Sequence, residues 1–536
     1  MLVKEPMTIT NSDQCLADVR RWMDICESSH QCLPKSPAAL PKRVIDVGSN
    51  ASPVVRLIEP HGLSDRYVCL SHCWGDCRPD CATTAATYTR NKREIEWTSL
   101  PATFQDAIDF TRRLGLRFLW IDSVCILQDS LDDWREQSAV MADIYGGAYI
   151  TICATASASD DGGCYLAPTP SNWSHRLSVR GLDSKDYDVY VEIGVRHRHI
   201  PHWDSLNYIS NPEAFALMLR GWTFQERLLS PRLVHFTAGE VMWECSEISC
   251  CQCPPTYQMG EEVSPYISSP RRHYLKQHQR KILEHSGLFS TRKGAYWRDL
   301  VTAFCQLDLT LEKDKLPALS GIAKREQLRR GGDKYLAGVW RSTLLYDIQW
   351  YLSEKHPDRS QPVDKWRAPT WSWAARNGSV AFVDDSDYGR ICCAIIDVSM
   401  TLDGTDPTGG VLSGYLVLSG PVAVATISDL MTNAGSLARN DSSVHFYLDS
   451  RHEAHDDADG ELSVGDSLTC LQVTHCRGPL SEYYFCLVLR PKQGAGANEN
   501  PSVYERVGSI FADDSTSVSK FHHFSQNMVD TVVKIV

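Results

Sequence analysis

Hydrophobic and polar residues alternate in blocks between residues 66 and 160, and the blocks have two different periods. The short apolar runs "YVCL", "LRFLWI" and "YITIC" are typical of buried strands. Between them, "LPATFQDAIDFTRRLG" and "DDWREQSAVMADIYGGA" carry apolar residues at helical spacing. This order of strand, helix, strand, helix and strand predicts a parallel sheet covered by helices, and therefore an α/β fold.

The first of these helices carries its own start and stop signals. Thr103 and Asp106 have the spacing of a capping box, in which two side chains satisfy the free N–H groups of the first turn. Gly115 follows the last apolar position and is typical of a helix C-terminus. The sequence therefore predicts a helix between these points.

Polar residues follow two of the predicted strands. Right-handed crossovers place the carboxyl ends of parallel strands at one edge of the sheet, where ligands of open α/β sheets bind. His72 comes just after the first strand, and Asp122 and Cys125 come just after the second. We therefore expect these three side chains to face one crevice.

The rest of the chain divides by the same patterns. Near the N-terminus, "CLADVRRWMDICESSHQC" predicts an amphipathic helix, and "RGWTFQERLLS" predicts another that precedes the strands "RLVHFT" and "VMWEC". Residues 170–210 are polar and predict a loop. The predicted organisation is a helical element at 1–65, an α/β domain at 66–245, an irregular insertion at 246–295, a mixed helical and Trp-rich region packing on the α/β domain at 296–395, and a β-rich module at 396–536.

Composition and charge narrow the class of protein. The chain has 536 residues, of which 43% are hydrophobic, and a formal net charge of -12. This acidic balance argues against nucleic-acid binding, which needs an excess of Lys and Arg. No apolar stretch reaches the roughly 18 residues of a membrane span, and the start has no secretory signal. We therefore expect a cytoplasmic protein without a membrane span.

The 20 cysteines are expected to be free thiols or metal ligands, because no secretion signal points to a disulfide framework. A helix would place Cys26 and His30 on one face, within reach of a shared metal, but packing is the interpretation that we favour for every cluster. The sequence prediction is therefore that no metal is bound. The three clusters are Cys69, Cys73, Cys77 and Cys81; Cys245, Cys250, Cys251 and Cys253; and Cys26, His30 and Cys32.

Two sets of residues could carry chemistry. Cys125 could act as a nucleophile with His72 as its base and Asp122 orienting the histidine, because a thiolate needs a partner that lowers its pKa. The alternative is that Cys125 fills the core while Asp122 caps the following turn.

The second set lies in "RGWTFQE". Glu226 lies four residues after Trp222, so both share a helical face. A fixed carboxylate beside an aromatic ring suits the cleavage of a glycosidic bond, whose transition state resembles an oxocarbenium ion. The alternative is that Glu226 pairs with Arg220 or Arg227 and braces the fold. Phosphate-binding loops of the GxGxxG and GxxxxGK[ST] types are absent from the sequence, so no cofactor is predicted.

Three segments together resemble the heterokaryon incompatibility (HET) family of filamentous fungi. They are "YVCLSHCWG", the block from "LPATFQDAIDF" to "YITICATAS", and "RGWTFQERLLSPRLVHF". The resemblance implies an effector of nonself recognition that leads to growth arrest or cell death. HET domains are in turn remotely similar to TIR domains, so the fold expected is a TIR-like parallel-sheet core with a helical N-terminal element and a mixed, β-rich C-terminal region.

The TIR likeness also implies roles for single residues. "RGWTFQE" has the Trp-to-Glu spacing of the TIR "WCxxE" element, with Thr223 in place of the cysteine. Many TIR domains cleave NAD with that glutamate, which implies catalysis by Glu226, and family membership adds weight to Asp122 and Cys125 as parts of a shared pocket. The residues then expected to bind the ligand are Ser71, Trp74, Gly75, Trp222 and Gln225.

Three functional hypotheses remain open at this point. The favoured one is a HET effector that hydrolyses NAD or a related nucleotide. The second is a thiol-dependent acyl-transfer or cyclising enzyme that uses Cys125, His72 and Asp122. The third is a module without catalysis that signals by self-association.

Overall fold

The computed structural model describes most of the chain and divides it into two compact units, Met1–Ser286 and Gly287–Val536. None of the helices in the described residues is both long and apolar enough to cross a bilayer. The described residues are 10–32, 37–49, 53–75, 77–166, 174–180, 183, 185–192, 215–238, 240–252, 294–353, 366–383, 389–431, 434–449, 462–477, 482–492 and 501–536.

The N-terminal unit mixes helices with short strands. Its helices are α1 (Asp13–Ser29), α2 (Tyr88–Arg93), α3 (Ala102–Arg113), α4 (Asp122–Cys125), α5 (Leu131–Gly147) and α6 (Gly221–Leu229). Its strands are β1 (Val44–Asp46), β2 (Arg56–Ile58), β3 (Tyr67–Ser71), β4 (Phe118–Trp120), β5 (Ile150–Cys153), β6 (Ser174–Arg180), β7 (Asp186–Glu192), β8 (Arg232–Phe236), β9 (Val241–Cys245) and β10 (Ser249–Cys251).

Within the described residues of this unit, eight strands form one sheet in the order β10-β9-β8-β5-β3-β4-β1-β2. The central strands β8, β5, β3 and β4 are parallel to one another, and the outer strands pair antiparallel with them and with each other. All residues of β3, β4, β5 and β8 are buried, which explains why these runs are continuously apolar or nearly so. The three strands expected from the sequence therefore form the parallel centre, with β8 added at its side.

The end of α3 and the start of α5 lie where the sequence indicates. Gly115 adopts φ +78°, a conformation that favours glycine, directly after the end of α3. The Ser130 side chain accepts a hydrogen bond from the backbone N–H of Asp133 and caps the start of α5.

The capping box predicted for α3 is wrong. The residue before α3 is Pro101, and the side chains of Thr103 and Asp106 are used elsewhere. Thr103 Oγ1 accepts from the N–H of Gly163 at 3.0 Å, and Asp106 Oδ2 accepts from the next two backbone N–H groups, at 2.8 and 2.9 Å. Both side chains therefore hold the loop after β5 against α3, because a buried loop N–H gains more from a partner than an exposed helix end does.

The stretch predicted as a loop at residues 170–210 contains an antiparallel hairpin of β6 and β7. Most of the predicted insertion at 246–295 lies outside the described residues, as does Cys253.

The C-terminal unit is rich in strands, as its alternating pattern predicts. Its helices are α7 (Ala295–Phe304), α8 (Pro317–Arg329), α9 (Leu344–Asp347) and α10 (Ser515–Phe524). Its strands are β11 (Tyr335–Leu336), β12 (Val339–Trp340), β13 (Trp350–Leu352), β14 (Val380–Phe382), β15 (Gly389–Ile391), β16 (Ala394–Leu402), β17 (Val411–Leu430), β18 (Ala434–Arg439), β19 (Ser442–Leu448), β20 (Ser467–Arg477), β21 (Glu482–Pro491), β22 (Val503–Ala512) and β23 (Val529–Ile535).

Across the described part of this unit, nine strands form a mainly antiparallel sheet, in which β23 pairs with both β17 and β22. Phe521 and Phe524 of α10 are fully buried in its core cluster. The Trp-rich segments are also internal, since Trp340, Trp371 and Trp373 are fully buried.

Candidate functional site

The carboxyl edge of the parallel strands joins two residues that are 155 positions apart in the chain. Ser71 is the last residue of β3, and its hydroxyl donates a hydrogen bond to Oε2 of Glu226 in α6. Both residues are buried, Ser71 to 1% exposure and Glu226 to 8%. The sequence predicted each residue to be part of a site, and the structure brings the two side chains into direct contact.

The surroundings of Glu226 favour its protonated form. Burial raises the pKa of Glu226 to about 7, and the nearby charge of Asp122 adds to the rise. The hydrogen bond from Ser71 and the charge of Arg220 act in the opposite direction. In the described part of the chain Glu226 forms no ion pair, so this carboxyl group can change its charge near neutral pH.

Asp122 begins the one-turn helix α4, directly beyond β4. Its Oδ2 accepts a hydrogen bond of 2.9 Å from the indole N–H of Trp74, and its Oδ1 accepts one of 2.7 Å from the N–H of Ser123. The N-cap position of α4 is held by Ile121, which has no side-chain cap, so Asp122 binds only the adjacent backbone N–H and does not cap the turn. The other oxygen fixes Trp74, which follows β3 in the chain and is half-buried.

His72 lies immediately after Ser71 and is 95% buried, with 5% exposure. Burial lowers the pKa of His72 to about 4, against the opposing charge of Asp122. The imidazole is therefore neutral at pH 7, and its edge packs on Phe104 with ring centroids 5.0 Å apart. No described residue gives its buried Nε2 a hydrogen-bond partner.

Cys125 ends α4 and is buried, with 1% exposure. Burial raises the pKa of the Cys125 thiol to about 12, although the charge of Arg43 opposes the rise. The guanidinium of Arg43 contacts the backbone of this residue instead, since its Nε donates to the Cys125 carbonyl at 2.6 Å. The thiol is therefore protonated at neutral pH, which disfavours it as a nucleophile.

Arg227, proposed from the sequence as a partner of Glu226, pairs with a different carboxylate. Its Nε and Nη2 donate to the two oxygens of Glu244 in β9 at 2.8 and 2.9 Å. His235 of β8 adds a contact of 3.2 Å between its Nε2 and the same carboxylate. All three residues are buried, so this group braces α6 against the strands and leaves Glu226 to other neighbours.

Three more residues were expected to bind a ligand: Trp222 and Gln225, which belong to α6, and Gly75, which follows β3 in the chain. Trp222 is half-buried and lies one helical turn before Glu226, while Gln225 is fully buried in the same helix. Gly75 is exposed and has φ +74°; a Cβ there would lie 2.8 Å from Cβ of Ser159. A side chain at position 75 would therefore be strained and would collide with the loop after β5.

Two further residues lie near Glu226: Arg220, which the sequence offered as a partner of Glu226, and Tyr145, which was not predicted as part of the site. Arg220 precedes α6, donates from Nη1 to the carbonyl of His72, and lowers the pKa of Glu226 by its charge. Tyr145, near the end of α5, lies close enough to lower the pKa of Glu226, and its hydroxyl donates to the carbonyl of Leu70 at 3.2 Å. The only sequence signal for Tyr145 was its place on the buried face of α5.

A cavity of about 390 Å³ lies in the C-terminal unit and is lined in part by Lys315, Arg367 and Glu312. It contains none of the residues described above. The site in the N-terminal unit is therefore assigned from its convergent polar groups and not from the size of a cavity. A set of side chains suited to hold a metal also lies away from this edge, at the end of α1.

A parallel α/β sheet with a buried, hydroxyl-bound carboxyl group at its carboxyl edge defines the class of this domain: an α/β domain with its polar site beyond the strand ends. The family model described as Heterokaryon incompatibility protein (HET) matches residues 67–226. The matched span begins with β3 and ends at Glu226. The chain therefore contains a HET domain, and the resemblance drawn from the sequence is confirmed there. No curated protein and no solved structure matches the chain.

Proposed function

We propose that the HET domain is the catalytic part of a cytoplasmic effector of fungal nonself recognition, and that it hydrolyses the N-glycosidic bond of NAD or a related nucleotide. The observation that carries this proposal is the pairing of Ser71 with the buried Glu226 at the carboxyl edge of the parallel strands. The spacing from Trp222 to Glu226 supports it, because it resembles that of TIR domains, many of which cleave NAD.

The reaction needs one carboxylate in a defined position. The bond between C1′ of the ribose and the pyridinium nitrogen breaks, and its electron pair leaves with neutral nicotinamide. A water molecule forms the new C1′–O bond and loses a proton. An ionised Glu226 would stabilise the positive charge that develops on the sugar and accept that proton.

The neighbours of Glu226 suit this role. The Ser71 hydroxyl holds the carboxyl group in place, so little reorganisation is needed during the reaction. Trp74 and Trp222 are half-buried aromatic residues, of the type that stacks on a base or a sugar. Asp122 keeps the Trp74 indole fixed through its hydrogen bond.

A thiol-dependent acyl-transfer or cyclising reaction has less support. It requires a Cys125 thiolate, and burial raises the pKa of that thiol to about 12. The ring of His72, its proposed base, packs on Phe104, and its Nε2 has no hydrogen-bond partner among the described residues.

The test is to incubate the purified chain with NAD and to measure released nicotinamide by chromatography over a series of protein concentrations, because TIR-like modules commonly need to assemble before they act. We expect release by the wild type and by the control variant Glu96→Gln, whose residue is exposed outside the site. Glu226→Gln should release nicotinamide about 10²–10⁴-fold more slowly. Equal release by Glu226→Gln, or no release by the wild type at any concentration, would contradict the proposal.

A further inference from the structure

Four sulfur and nitrogen ligands meet at the end of α1, away from the site of Glu226. Cys26, His30, Cys32 and Cys245 each offer one ligand atom, and these atoms lie within 4.8 Å of one another. A tetrahedral zinc ion with Zn–S of about 2.3 Å and Zn–N of about 2.0 Å keeps its ligand atoms roughly 3.5–4 Å apart. The spacing of the four side chains is therefore close to that of a zinc site.

From this arrangement we propose that the protein binds one structural zinc ion through Cys26, His30, Cys32 and Cys245. Three thiolates and one imidazole form a recognised set of structural zinc ligands, and soft thiolate ligands favour Zn²⁺ over Mg²⁺ or Ca²⁺. A site with four protein ligands leaves no open position for a substrate, so its role is to stabilise the fold.

The local backbone explains how three ligands come from seven consecutive residues. Cys26 and His30 are separated by one helical turn, and the N–H of His30 donates to the Cys26 carbonyl at 3.2 Å where α1 ends. His30 itself is extended, with φ -117° and ψ 161°, so the chain leaves the helix and can bring Cys32 back to the same point.

The fourth ligand comes from the opposite end of the domain in sequence. Cys245 ends β9, and its Sγ lies 3.4 Å from Nδ1 of His30, which is 215 positions away in the chain. The backbone N–H of Ile248 also points to this sulfur, at 3.4 Å. Such N–H groups stabilise a thiolate and are the outer partners expected around a metal-bound sulfur.

The charge of the cluster is also balanced. Zinc with three thiolates has a net charge of -1, and the buried guanidinium of Arg232 donates from Nε to Cys26 Sγ at 3.2 Å. Cys26 and Cys245 are buried, while His30 and Cys32 are partly exposed, which leaves a side from which the ion can enter. The interior ligands are thus compensated and the outer ligands accessible.

Zinc here would join α1 to the sheet. Trp22 of α1 already packs on Trp243 of β9, with ring centroids 6.5 Å apart. Because the ion would link residues from both elements, its binding energy would add to the stability of the folded N-terminal unit. This inference does not depend on the proposed hydrolase activity, since it uses none of the same side chains.

The first experiment measures the metal content of the full chain, purified with a thiol reductant and without chelators, by plasma mass spectrometry. We expect about one zinc ion per chain for the wild type, and near zero for Cys26→Ser and Cys245→Ser. Cys250→Ser is the matched control, because Cys250 lies in β10, beside β9, but is not one of the four clustered ligands, and it should keep its zinc.

A second measurement tests the site even if the cysteine variants do not fold. Replacement of zinc by Co²⁺ in the wild type should give the intense visible bands of tetrahedral cobalt and a sulfur-to-cobalt charge-transfer band in the near ultraviolet. His30→Cys retains four ligands and should still bind, whereas His30→Ala should bind more weakly.

Three outcomes would overturn the proposal. They are a wild-type chain that takes up neither Zn²⁺ nor Co²⁺, a Cys245→Ser variant that retains as much zinc as Cys250→Ser, and peptide mapping that finds two of the three cysteines joined in a disulfide.

Discussion

Two regions of the same sheet each bury a glutamate, and the two carboxyl groups behave in opposite ways. At the carboxyl edge of the parallel strands, burial raises the pKa of Glu226 to about 7. On the antiparallel flank, the Arg227 guanidinium and His235 hold the pKa of Glu244 well below its usual range, although Glu244 is even less exposed.

The difference lies in the partners and not in the depth of burial. Glu244 receives two hydrogen bonds from a guanidinium, so its charge is compensated and the group acts as a brace. Glu226 receives a hydrogen bond from the Ser71 hydroxyl and has Asp122 nearby, so its charge is only partly compensated. A buried carboxyl group that is left in this state costs stability and is typical of a functional site.

The largest expected effect is a loss of activity on substitution of Glu226. Glu226→Gln should lower the rate of NAD hydrolysis by about 10²–10⁴-fold, because the amide cannot accept a proton or stabilise the sugar cation by charge. Nicotinamide release at a protein concentration where the wild type is active measures it. A variant within a factor of about 3 of the wild type would remove Glu226 from the reaction.

The substitution at Glu244, unlike that at Glu226, should mainly lower the stability of the fold. Glu244→Gln leaves the buried guanidinium of Arg227 without its charged partner and should lower the free energy of unfolding by about 3–5 kcal/mol. Denaturant titration measures the change, with Glu96→Gln as an exposed control. If Glu244→Gln unfolded at the same midpoint as the control, Glu244 would not be a brace.

The pH dependence of stability should have opposite signs at the two positions. The folded-state pKa of Glu226 is raised from 4.5 to about 7, so ionisation costs stability as the pH rises between these values. Glu226→Gln should therefore be more stable than the wild type at pH 8, by at most about 3 kcal/mol, and less so at pH 5. Glu244 has a depressed pKa, so its contribution is present above pH 4.5 and is lost as the pH falls through its folded-state value.

Unfolding midpoints at pH 5 and pH 8 for the wild type and Glu226→Gln measure this difference. A stability gain that is equal at both pH values would show that the gain does not come from the titration of Glu226.

The smallest expected effects concern the pH profile of hydrolysis, which should rise with the ionisation of Glu226 near pH 7. Ser71→Ala removes a hydrogen bond that lowers the pKa of Glu226, so its profile should move to higher pH. Asp122→Asn removes a charge that raises this pKa, so its profile should move to lower pH. Profiles of kcat/KM against pH measure both shifts, and shifts in the same direction would contradict this account.

The sequence by itself determined the elements and the edge at which the site lies. The apolar runs at β3, β4 and β5 predicted buried strands, and their order with α3 and α5 predicted that the strands pair in parallel. This was possible because the spacing of apolar residues along a strand or helix depends only on residues that are close in sequence. The placement of Ser71 and Asp122 just at or beyond strand ends followed from that topology.

Only the tertiary structure decided which polar groups meet. Ser71 contacts Glu226, whereas Arg227 forms its ion pair with Glu244 and not with Glu226. Thr103 accepts a hydrogen bond from the loop after β5 instead of capping α3. Cys245 likewise joins a cluster 215 positions away. Each of these choices depends on which donors and acceptors are buried together once the strands have packed, and no local pattern of residues encodes that distance.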